Sequence, residues 1–497
     1  MSASQSLASG VNRSAAAQGM RRILLNALSL LLAYALPRIF TVGAVILAAR
    51  VLGTTQFGAY GTAAAFAVIL SIVATLGMAP LLVREMARAP ERSGALLGAA
   101  HRLKTASNAV MLVLLYGLGR WVFEYPPDVL AGAMLLGVAY AIAAYAENLS
   151  AYFQSIERMY VWTQASAAYG LVTGAAGAAL IVTTGSVVAF CAAPIAGQVA
   201  ALSWLLLRLP RTVRETHAHE PLRLGWLLAA LGPFAAGFVF LTVHSKIDIL
   251  VLAQIRTPDE VGVYAAGYKF IDLAQAMAVV IAAAVYPRLA RVAPADAERG
   301  QWAGRRLIEL SVMGAVLAGA LLVVAREPIV ELLFGEAYRA TSAVVLFLGI
   351  AVPALVLNIV SGYVLAAAGR MRDVAMVYAG AVAIKLVLNL ALVPTAGARG
   401  AAIAMLVTEL AVAAGMMMLL RARLAAAPGA RTLIAIGGAG ALTVGALLLP
   451  DPTHGILGAS LAVIGTVSIY IALRVISAHE RGVLAEAIGL GRTRRPA

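Results

Sequence analysis

The sequence predicts an all-α integral membrane protein with about 14 transmembrane helices. Hydrophobic residues make up 62% of the 497 residues and charged residues only 12%, whereas soluble proteins carry roughly 25% charged residues. Apolar windows of about 20 residues recur along the whole chain. The longest gaps between them, 208–224 and 287–303, are too short for a soluble domain. We therefore expect function to reside within or beside the bilayer.

The predicted spans follow directly from these apolar windows. The first window differs from a secretory signal because it is about twice as long as a signal core and is interrupted by Pro37 and Arg38. We expect it to be a span. In chain order the predicted spans are 22–50, 58–82, 99–122, 129–152, 160–183, 185–207, 225–253, 262–286, 304–325, 340–368, 374–394, 399–420, 431–449 and 455–476.

The basic residues predict the orientation in the membrane. Lys and Arg total 38 against 23 Asp and Glu, and most of them lie at the termini and in the even-numbered gaps. The odd-numbered gaps hold only Arg120, Arg256, Arg326, Arg339 and Arg399. The positive-inside rule then places both termini in the cytoplasm, and we expect a bacterial cytoplasmic (inner) membrane protein. The basic excess reflects orientation and predicts no nucleic-acid partner.

An internal repeat predicts two lobes of like orientation. Residues 57–84 align without gaps on 261–288, with Gly58 and Tyr60 matching Gly262 and Tyr264. A second, weaker echo relates 150–159 to 361–371. Chance similarity of apolar helices is the alternative, but both echoes fall at equivalent places in successive six-span units. Parallel repeats are typical of transporters with a central site.

The predicted organisation is therefore two pseudo-symmetric six-helix lobes around a central cavity, followed by two C-terminal helices. The predicted boundaries are a cytoplasmic tail 1–21, an N-lobe 22–223, a C-lobe 224–423, spans 13 and 14 in 424–478, and a cytoplasmic tail 479–497.

Charged residues inside the spans are the candidate site. A charge at the centre of a bilayer costs between about 3 and 17 kcal/mol, so such residues face water or partners. The candidates for binding an anionic substrate are Arg38, Arg50, Lys246, Lys269, Lys385 and Asn389. The candidates for binding a coupling ion, H⁺ or Na⁺, are Asp248, Asp272, Glu409 and Glu147. We expect no other cofactor.

Each of these residues also has a structural interpretation. Lys269 and Asp272 are three residues apart and can form a local pair, and Lys246 can extend to the membrane interface. We expect Lys385 to pair with Glu409 on the next helix. Arg38 either pairs with Glu147 or stays free to bind a phosphate oxygen, for which its guanidinium is well suited. Pro37 beside it is expected to bend the span.

Enzymatic functions are disfavoured by the motifs. The six histidines are scattered, no metal cluster is expected, and there is no phosphate-binding loop with its lysine. The single cysteine, Cys191, lies in an apolar run and is expected to be a packing residue. A membrane glycosyltransferase or glycan polymerase would need an acidic pair at the outer surface. Its only candidates, Glu124 with Asp128 and Asp259 with Glu260, lie in very short loops.

Seven segments in a fixed order resemble the polysaccharide biosynthesis, or lipid-linked oligosaccharide flippase, family of bacteria. They are "ARVLGTTQFGAYG" (49–61), "LGMAPLLVREMAR" (76–88), "YFQSIERM" (152–159), "KIDILVL" (246–252), "VGVYAAGYKF" (261–270), "LLFGEAYRATSAVVLFL" (332–348) and "LNLALVPTAGARGAAIA" (388–404). The resemblance implies the V-shaped fold of multidrug and toxin extrusion carriers and lipid II flippases. It implies transfer of undecaprenyl-pyrophosphate-linked oligosaccharide to the outer leaflet.

The resemblance leaves several alternatives and implies partners. A lipid II flippase carries a substrate with the same anionic anchor and also has two extra helices, and a cation-coupled multidrug exporter shares the fold. Arg38 argues against the exporter, whose cargo is cationic. The implied partners are membrane lipid, the lipid-linked oligosaccharide, and the polymerase and glycosyltransferases of the same pathway.

Overall fold

The computed structural model describes residues 2–75, 77–216, 224–295, 297–424, 426–447 and 464–470. In these ranges it contains fourteen α-helices up to Leu447, a further helical stretch at 464–470, and no strand. They are α1 (Ser2–Thr75), α2 (Ala79–Arg88), α3 (Ser93–Gly117), α4 (Pro127–Ser155), α5 (Met159–Thr184), α6 (Val187–Arg208), α7 (Arg211–Thr216), α8 (Leu224–Ile255), α9 (Pro258–Ala295), α10 (Ala297–Val324), α11 (Arg326–Phe334), α12 (Thr341–Ala367), α13 (Met371–Leu424) and α14 (Ala430–Leu447). Two 3₁₀ turns (Pro90–Arg92 and Glu336–Tyr338) and one π turn (Leu118–Val122) complete it.

The helices confirm the predicted membrane fold. Eight segments within the described ranges are long and apolar enough to cross a bilayer, and this is a multi-pass membrane protein. Twelve of the predicted spans overlap described helical segments along nearly their whole length. The last span, 455–476, lies mostly outside the described residues, of which 464–470 are helical.

The second predicted span, 58–82, is wrong at its end. Helix α1 ends at Thr75, Gly77 adopts a positive φ of 61°, and the separate helix α2 begins at Ala79. Leu81 and Leu82 extended the apolar run in the sequence, but they pack into the protein core. Arg84 on the same helix is exposed, so α2 is an amphipathic helix, with its apolar residues turned towards the core.

Two helices contain two predicted spans each. The helical segment α13 has 54 residues, enough for two crossings of a bilayer core. It kinks at Gly397 (φ 54°), and α1 kinks at Gly53 (φ 70°). Both conformations lie in the left-handed region that glycine adopts without a steric penalty. Each kink therefore acts as a turn between two successive spans.

The helices pack as two groups, which we call the first half (α1–α6) and the second half (α8–α13). In the first half, α1 packs along α5, and α4 packs against α6. In the second half, α9 and α13 pack against α12, and α8 lies along α13. Helix α14 packs on α10. This arrangement agrees with the predicted repeat.

The contact between α1 and α5 explains Pro37. Gly170 and Gly174 of α5 face Pro37 and Phe40, and a Cβ on either glycine would collide with the backbone of α1. Among the described residues of α1, only Gly53 leaves helical geometry. Pro37 keeps helical backbone dihedrals and packs closely against a glycine face.

The two halves meet where α1 crosses α9. A Cβ on Gly58 would collide with the backbone of Pro258, and one on Gly262 would collide with the backbone of Thr54. These are repeat-equivalent positions, because Thr54 matches Pro258 at the same offset by which Gly58 matches Gly262. The contact is thus reciprocal, as in a two-fold symmetric interface.

Further contacts join the halves at the end of the bundle that holds Gly53, Pro258 and Tyr338, which we call the joined end. By the charge distribution this is the predicted external end. Among the side chains that the structure describes, the hydrogen bonds between the halves lie between this end and the level of Arg38 and Asp272.

Candidate functional site

Three cationic side chains and one carboxylate meet where α1, α8 and α9 approach one another. Lys246 Nζ lies 2.9 Å from Asp272 Oδ1, and Lys269 Nζ lies 3.2 Å from Asp272 Oδ2. Arg38 Nη1 of the first half donates to the backbone oxygen of Asp272 over 3.4 Å. We call Arg38, Lys246, Lys269 and Asp272 the central cluster. Four of the predicted site residues are therefore brought together.

The central cluster is partly accessible and carries excess positive charge. The side chains of Lys246, Lys269 and Asp272 are 15%, 23% and 25% exposed, and Arg38 is exposed. Three cations against one carboxylate leave a formal charge of two. Each ammonium group has three donors and uses one on Asp272. The remaining donors are available to an anion.

Tyrosines from both halves surround the central cluster. Lys246 Nζ lies 4.1 Å from the ring centre of Tyr268, and Lys269 Nζ lies 5.9 Å from that of Tyr60, within the range of cation–π attraction. Tyr140 of α4 interacts electrostatically with Asp272, and Tyr169 of α5 with Arg38. These tyrosines were not among the candidates predicted from sequence, and their signal was that of polar aromatic residues within apolar spans.

The predicted pair of Lys385 with Glu409 is wrong. Lys385 Nζ lies 3.1 Å from Asp248 Oδ2 and donates to the backbone oxygen of His244 over 2.6 Å. Glu409 Oε1 lies 3.0 Å from His244 Nε2. Asn389 donates to the backbone oxygen of Lys385. Helix α8 is oriented about its axis so that His244 and Asp248 lie between Lys385 and Glu409, the two residues expected to pair.

These residues form a second group inside the second half, distinct from the central cluster. Asn358 of α12 donates to both Glu409 Oε2 (2.7 Å) and the backbone oxygen of Glu409 (3.0 Å). The hydroxyl of Tyr264 donates to Asp248. All of these side chains are buried. We call His244, Asp248, Asn358, Lys385 and Glu409 the buried cluster, and Lys385 and Asn389 are thereby removed from direct contact with a substrate.

The alternative pair of Arg38 with Glu147 is also wrong. Glu147 Oε2 lies 3.4 Å from Lys104 Nζ, which in turn donates to the backbone oxygen of Thr75 over 2.7 Å. Lys104 lies within the predicted span 99–122 and is fully buried in α3. It neutralises the exposed carbonyl end of α1, so Glu147 has a partner other than Arg38.

Arg50 joins the two halves. Its guanidinium donates to the backbone oxygens of Leu333 (2.8 Å) and Leu332 at the end of α11. Beside it, the buried hydroxyl of Tyr338 donates to the backbone oxygen of Ala49 over 2.9 Å. Burial raises the pKa of Tyr338, so this hydroxyl keeps its proton at physiological pH. In this conformation Arg50 holds the joined end together.

The acidic pair considered for an enzymatic site is also occupied by structural contacts. Asp259 Oδ1 accepts hydrogen bonds from Thr54 (2.6 Å) and Thr55 (2.7 Å) of the first half. Glu260 accepts from Arg256 (2.8 Å) and from the backbone nitrogen of Ala398 beside the kink of α13. These two carboxylates therefore fix helix ends at the joined end.

Comparison with known proteins identifies the family. The family model described as "Polysaccharide biosynthesis protein" matches residues 23–293, more than half of the chain. The chain belongs to this family. Its matched region includes the central cluster and the reciprocal crossing of α1 with α9. No curated protein matches the chain at a significant level.

Comparison with solved structures establishes the fold of this chain. The lipid II flippase MurJ in an inward closed conformation matches with a TM-score of 0.69 and 11% identity, covering 92% of this chain and 98% of that chain. An inward-facing multidrug resistance MATE transporter of the MOP superfamily matches at 0.66 and 15%, covering 80% and 98%. The Vibrio cholerae MATE transporter VcmN matches at 0.60 and 16%, covering 81% and 97%. This polysaccharide biosynthesis protein thus has the fold of flippases and transporters.

Proposed function

We propose that this polysaccharide biosynthesis protein moves an undecaprenyl-pyrophosphate-linked oligosaccharide from the cytoplasmic to the outer leaflet of the bacterial inner membrane. The observation that carries the proposal is the formal charge of two in the central cluster, between the halves. A pyrophosphate that links a lipid to a sugar is a diester with two negative charges. The charges of substrate and site therefore match.

The groups around the central cluster suit the other parts of this substrate. Arg38 presents a planar fork that binds two phosphate oxygens, whereas the two lysines act as compact point charges. Tyr60, Tyr140 and Tyr169 are partly buried beside the cluster, where they would contact a sugar attached to the pyrophosphate. The polyprenyl tail needs no protein cavity, because it is soluble in the surrounding lipid.

The closed joined end supports alternating access. The reciprocal crossing, Arg50, Tyr338 and Asp259 close the joined end, which is the predicted external end. Transfer to the outer leaflet requires these contacts to break while the opposite end closes. Release would then deliver the saccharide to a polymerase or glycosyltransferase of the same pathway.

Lipid II is a second candidate substrate. The lipid II flippase MurJ matches 92% of this chain, against 80% and 81% for the MATE structures. Lipid II carries the same pyrophosphate anchor, so the central cluster fits it equally well. A cationic drug is disfavoured, because a site with excess positive charge repels it.

Complementation of a strain that lacks its oligosaccharide flippase tests the proposal. We expect Arg38→Ala and Lys269→Ala to abolish surface polysaccharide, and Arg38→Lys to restore part of it, because an ammonium group lacks the bidentate fork. The matched control is Arg372→Ala, which removes an exposed cation elsewhere. An immunoblot of the membrane fraction verifies that each variant accumulates. Normal export by Arg38→Ala would refute the proposal.

A binding experiment tests the anion site, and a second complementation separates the two substrates. The probe is farnesyl-pyrophosphoryl-N-acetylglucosamine, with farnesol as the uncharged control, added to the purified full chain. Each charged contact with phosphate contributes about 1.5–3 kcal/mol, so Lys246→Ala should weaken binding about 10- to 100-fold. Rescue of a strain depleted of its lipid II flippase, without rescue of polysaccharide export, would assign lipid II instead.

A further inference from the structure

Arg50 holds two backbone oxygens with the part of its side chain that suits a phosphate. Its Nε donates to the backbone oxygen of Leu333 over 2.8 Å, and its Nη2 donates to that of Leu332. These two nitrogens form one of the parallel donor pairs with which a guanidinium binds two oxygens of a phosphate or carboxylate. Arg50 is also exposed, so this donor pair lies at the protein surface.

The two acceptors are the free end of a helix. Leu332 and Leu333 lie in the last turn of α11, where the carbonyl groups lack a partner within the helix. Gly335 donates to the oxygen of Glu331. Arg50 provides the donors for the next two carbonyl groups. Together the carbonyl groups of a helix end carry the negative pole of the helix dipole, about half an elementary charge. The end of α11 therefore resembles a weak anion.

No carboxylate of the described residues forms an ion pair with Arg50. On the same side of the molecule, Glu336 lies 3.3 Å and Glu331 lies 4.0 Å from Arg339. Asp259 of α9 accepts hydrogen bonds from two threonines. The positive charge of Arg50 is thus balanced only by the dipole of α11, which is smaller than a full negative charge.

Arg50 lies at the depth of an outer-leaflet headgroup. Arg38 is near the middle of the first predicted span, 22–50, and Arg50 is at its end. Because α1 is continuously helical from Arg38 to Arg50, a rise of 1.5 Å per residue places them about 18 Å apart along the axis. Half of a hydrocarbon core is about 15 Å thick. With Arg38 near the midplane, Arg50 is therefore at the surface of the predicted external side.

Separation of the halves at the joined end would free this donor pair. Arg50 belongs to α1 of the first half and its acceptors belong to α11 of the second half, so the two hydrogen bonds break when the halves move apart. Water can solvate the released carbonyl groups. A phosphate with a full negative charge is a stronger partner for the guanidinium than the partial charge of the helix end.

We propose that Arg50 is a second anion-binding site, at the outer-leaflet end of the path, where a phosphate group replaces the end of α11. The site stands on the contacts, exposure and position of Arg50, whereas the identity of the phosphate as part of the transported lipid rests on the proposed function. In the joined conformation α11 occupies the site. An anion that binds Arg50 only after separation stabilises the separated conformation.

The test measures whether a diphosphate diester drives the halves apart in the purified full chain. Val261 is buried at the crossing, and the rate at which a water-soluble maleimide labels Val261→Cys reports separation. Every protein also carries Arg38→Ala, which weakens the central cluster. Saturating farnesyl-pyrophosphoryl-N-acetylglucosamine should raise the labelling rate about 10- to 100-fold, the effect of one charge-assisted contact. Farnesol, the uncharged control, should not raise it.

Arg50→Gln separates the anion site from the contact with α11. Its amide can still donate to a carbonyl oxygen but carries no charge, so the rise in labelling should be lost while the joined conformation persists. Arg50→Lys keeps the charge without the parallel donor pair and should retain part of the rise. The matched control is Arg339→Gln, which removes another exposed arginine at the same end and should leave the rise unchanged.

Three results would overturn the site. They are the absence of a rise in the Arg38→Ala chain, an undiminished rise in Arg50→Gln, and an equal loss of the rise in Arg339→Gln. The first result requires no change at Arg50, so it decides the question even if Arg50→Gln does not fold.

The labelling experiment distinguishes failure of this site from failure of the proposed function. A rise that is present with Arg38 and absent in Arg38→Ala contradicts the Arg50 site and leaves the central anion site standing. A rise that survives Arg38→Ala and is lost in Arg50→Gln supports the outer site. If the wild-type chain then restores neither polysaccharide export nor lipid II transfer, the proposed function is contradicted and the outer site stands.

Discussion

Replacing Gly58 by alanine should drive the two halves apart at the joined end. The added Cβ would collide with the carbonyl oxygen of Pro258 and would lie 2.8 Å from its carbonyl carbon and 2.9 Å from the nitrogen of Gly262. All three are backbone atoms, so no side-chain rotation relieves the overlap. Overpacking of this kind costs about 1–3 kcal/mol. The joined conformation should therefore lose about 5- to 150-fold in population relative to the separated one.

Cysteine accessibility measures this change. Val261 is buried at the crossing, and Val261→Cys introduces a reporter of similar size, while the single native cysteine, Cys191, is fully buried. An impermeant maleimide should label the reporter about 5- to 150-fold faster when Gly58→Ala is present. The matched control is Gly43→Ala on the same helix, because a Cβ there would meet no atom within 4 Å. Equal labelling rates in the two variants would refute the assignment of this crossing as the closed end.

Three further predictions concern the buried pair, the joined end and the orientation. Lys385→Met leaves Asp248 buried without its partner and should cost about 3–5 kcal/mol of stability, measured as a lower Tm in detergent. Adding Asp248→Asn should restore most of that stability. Coupling of Lys385 to Glu409 instead of Asp248 would contradict the structure. Tyr338→Phe removes one hydrogen bond between the halves, worth about 1 kcal/mol, and should speed labelling of the same reporter about fivefold, with an unchanged rate counting against its role. A reporter fused at Pro258 should behave as external, and a cytoplasmic signal there would reverse the predicted orientation.

The spans could be predicted from sequence because each depends on a local run of apolar residues. The tight turns at Gly53 and Gly397, which connect successive spans through one left-handed glycine, could not be predicted, because a glycine between apolar windows is equally compatible with a longer loop. The end of the second span was missed for a related reason. Leu81 and Leu82 are apolar because they face the protein core, and hydropathy alone does not distinguish that environment from lipid.

The central cluster was predictable as a set of charges but not as an arrangement. Arg38, Lys246, Lys269 and Asp272 were all candidates, because charges are rare within spans. Partners depend on helix rotation, and each residue turns a helix by about 100°, so Lys385 was assigned to the wrong carboxylate. His244 was missed although it lies one turn before Asp248, and that spacing was the available signal.

The reciprocal crossing has a consequence for the evolution of this chain. In a symmetric homodimer, the same glycine of each copy would pack against the same element of the other copy. Here Gly58 and Gly262 make these equivalent contacts within one polypeptide. Gly61 and Ala265, also repeat-equivalent, face each other at the point where the symmetry axis would pass. Such an arrangement is expected if a six-helix ancestor dimerised before its gene was duplicated and fused. After fusion, positions 58 and 262 could mutate independently of each other. Family members with a larger residue at one of these positions should therefore also have a change at the other position or in the turn that faces it.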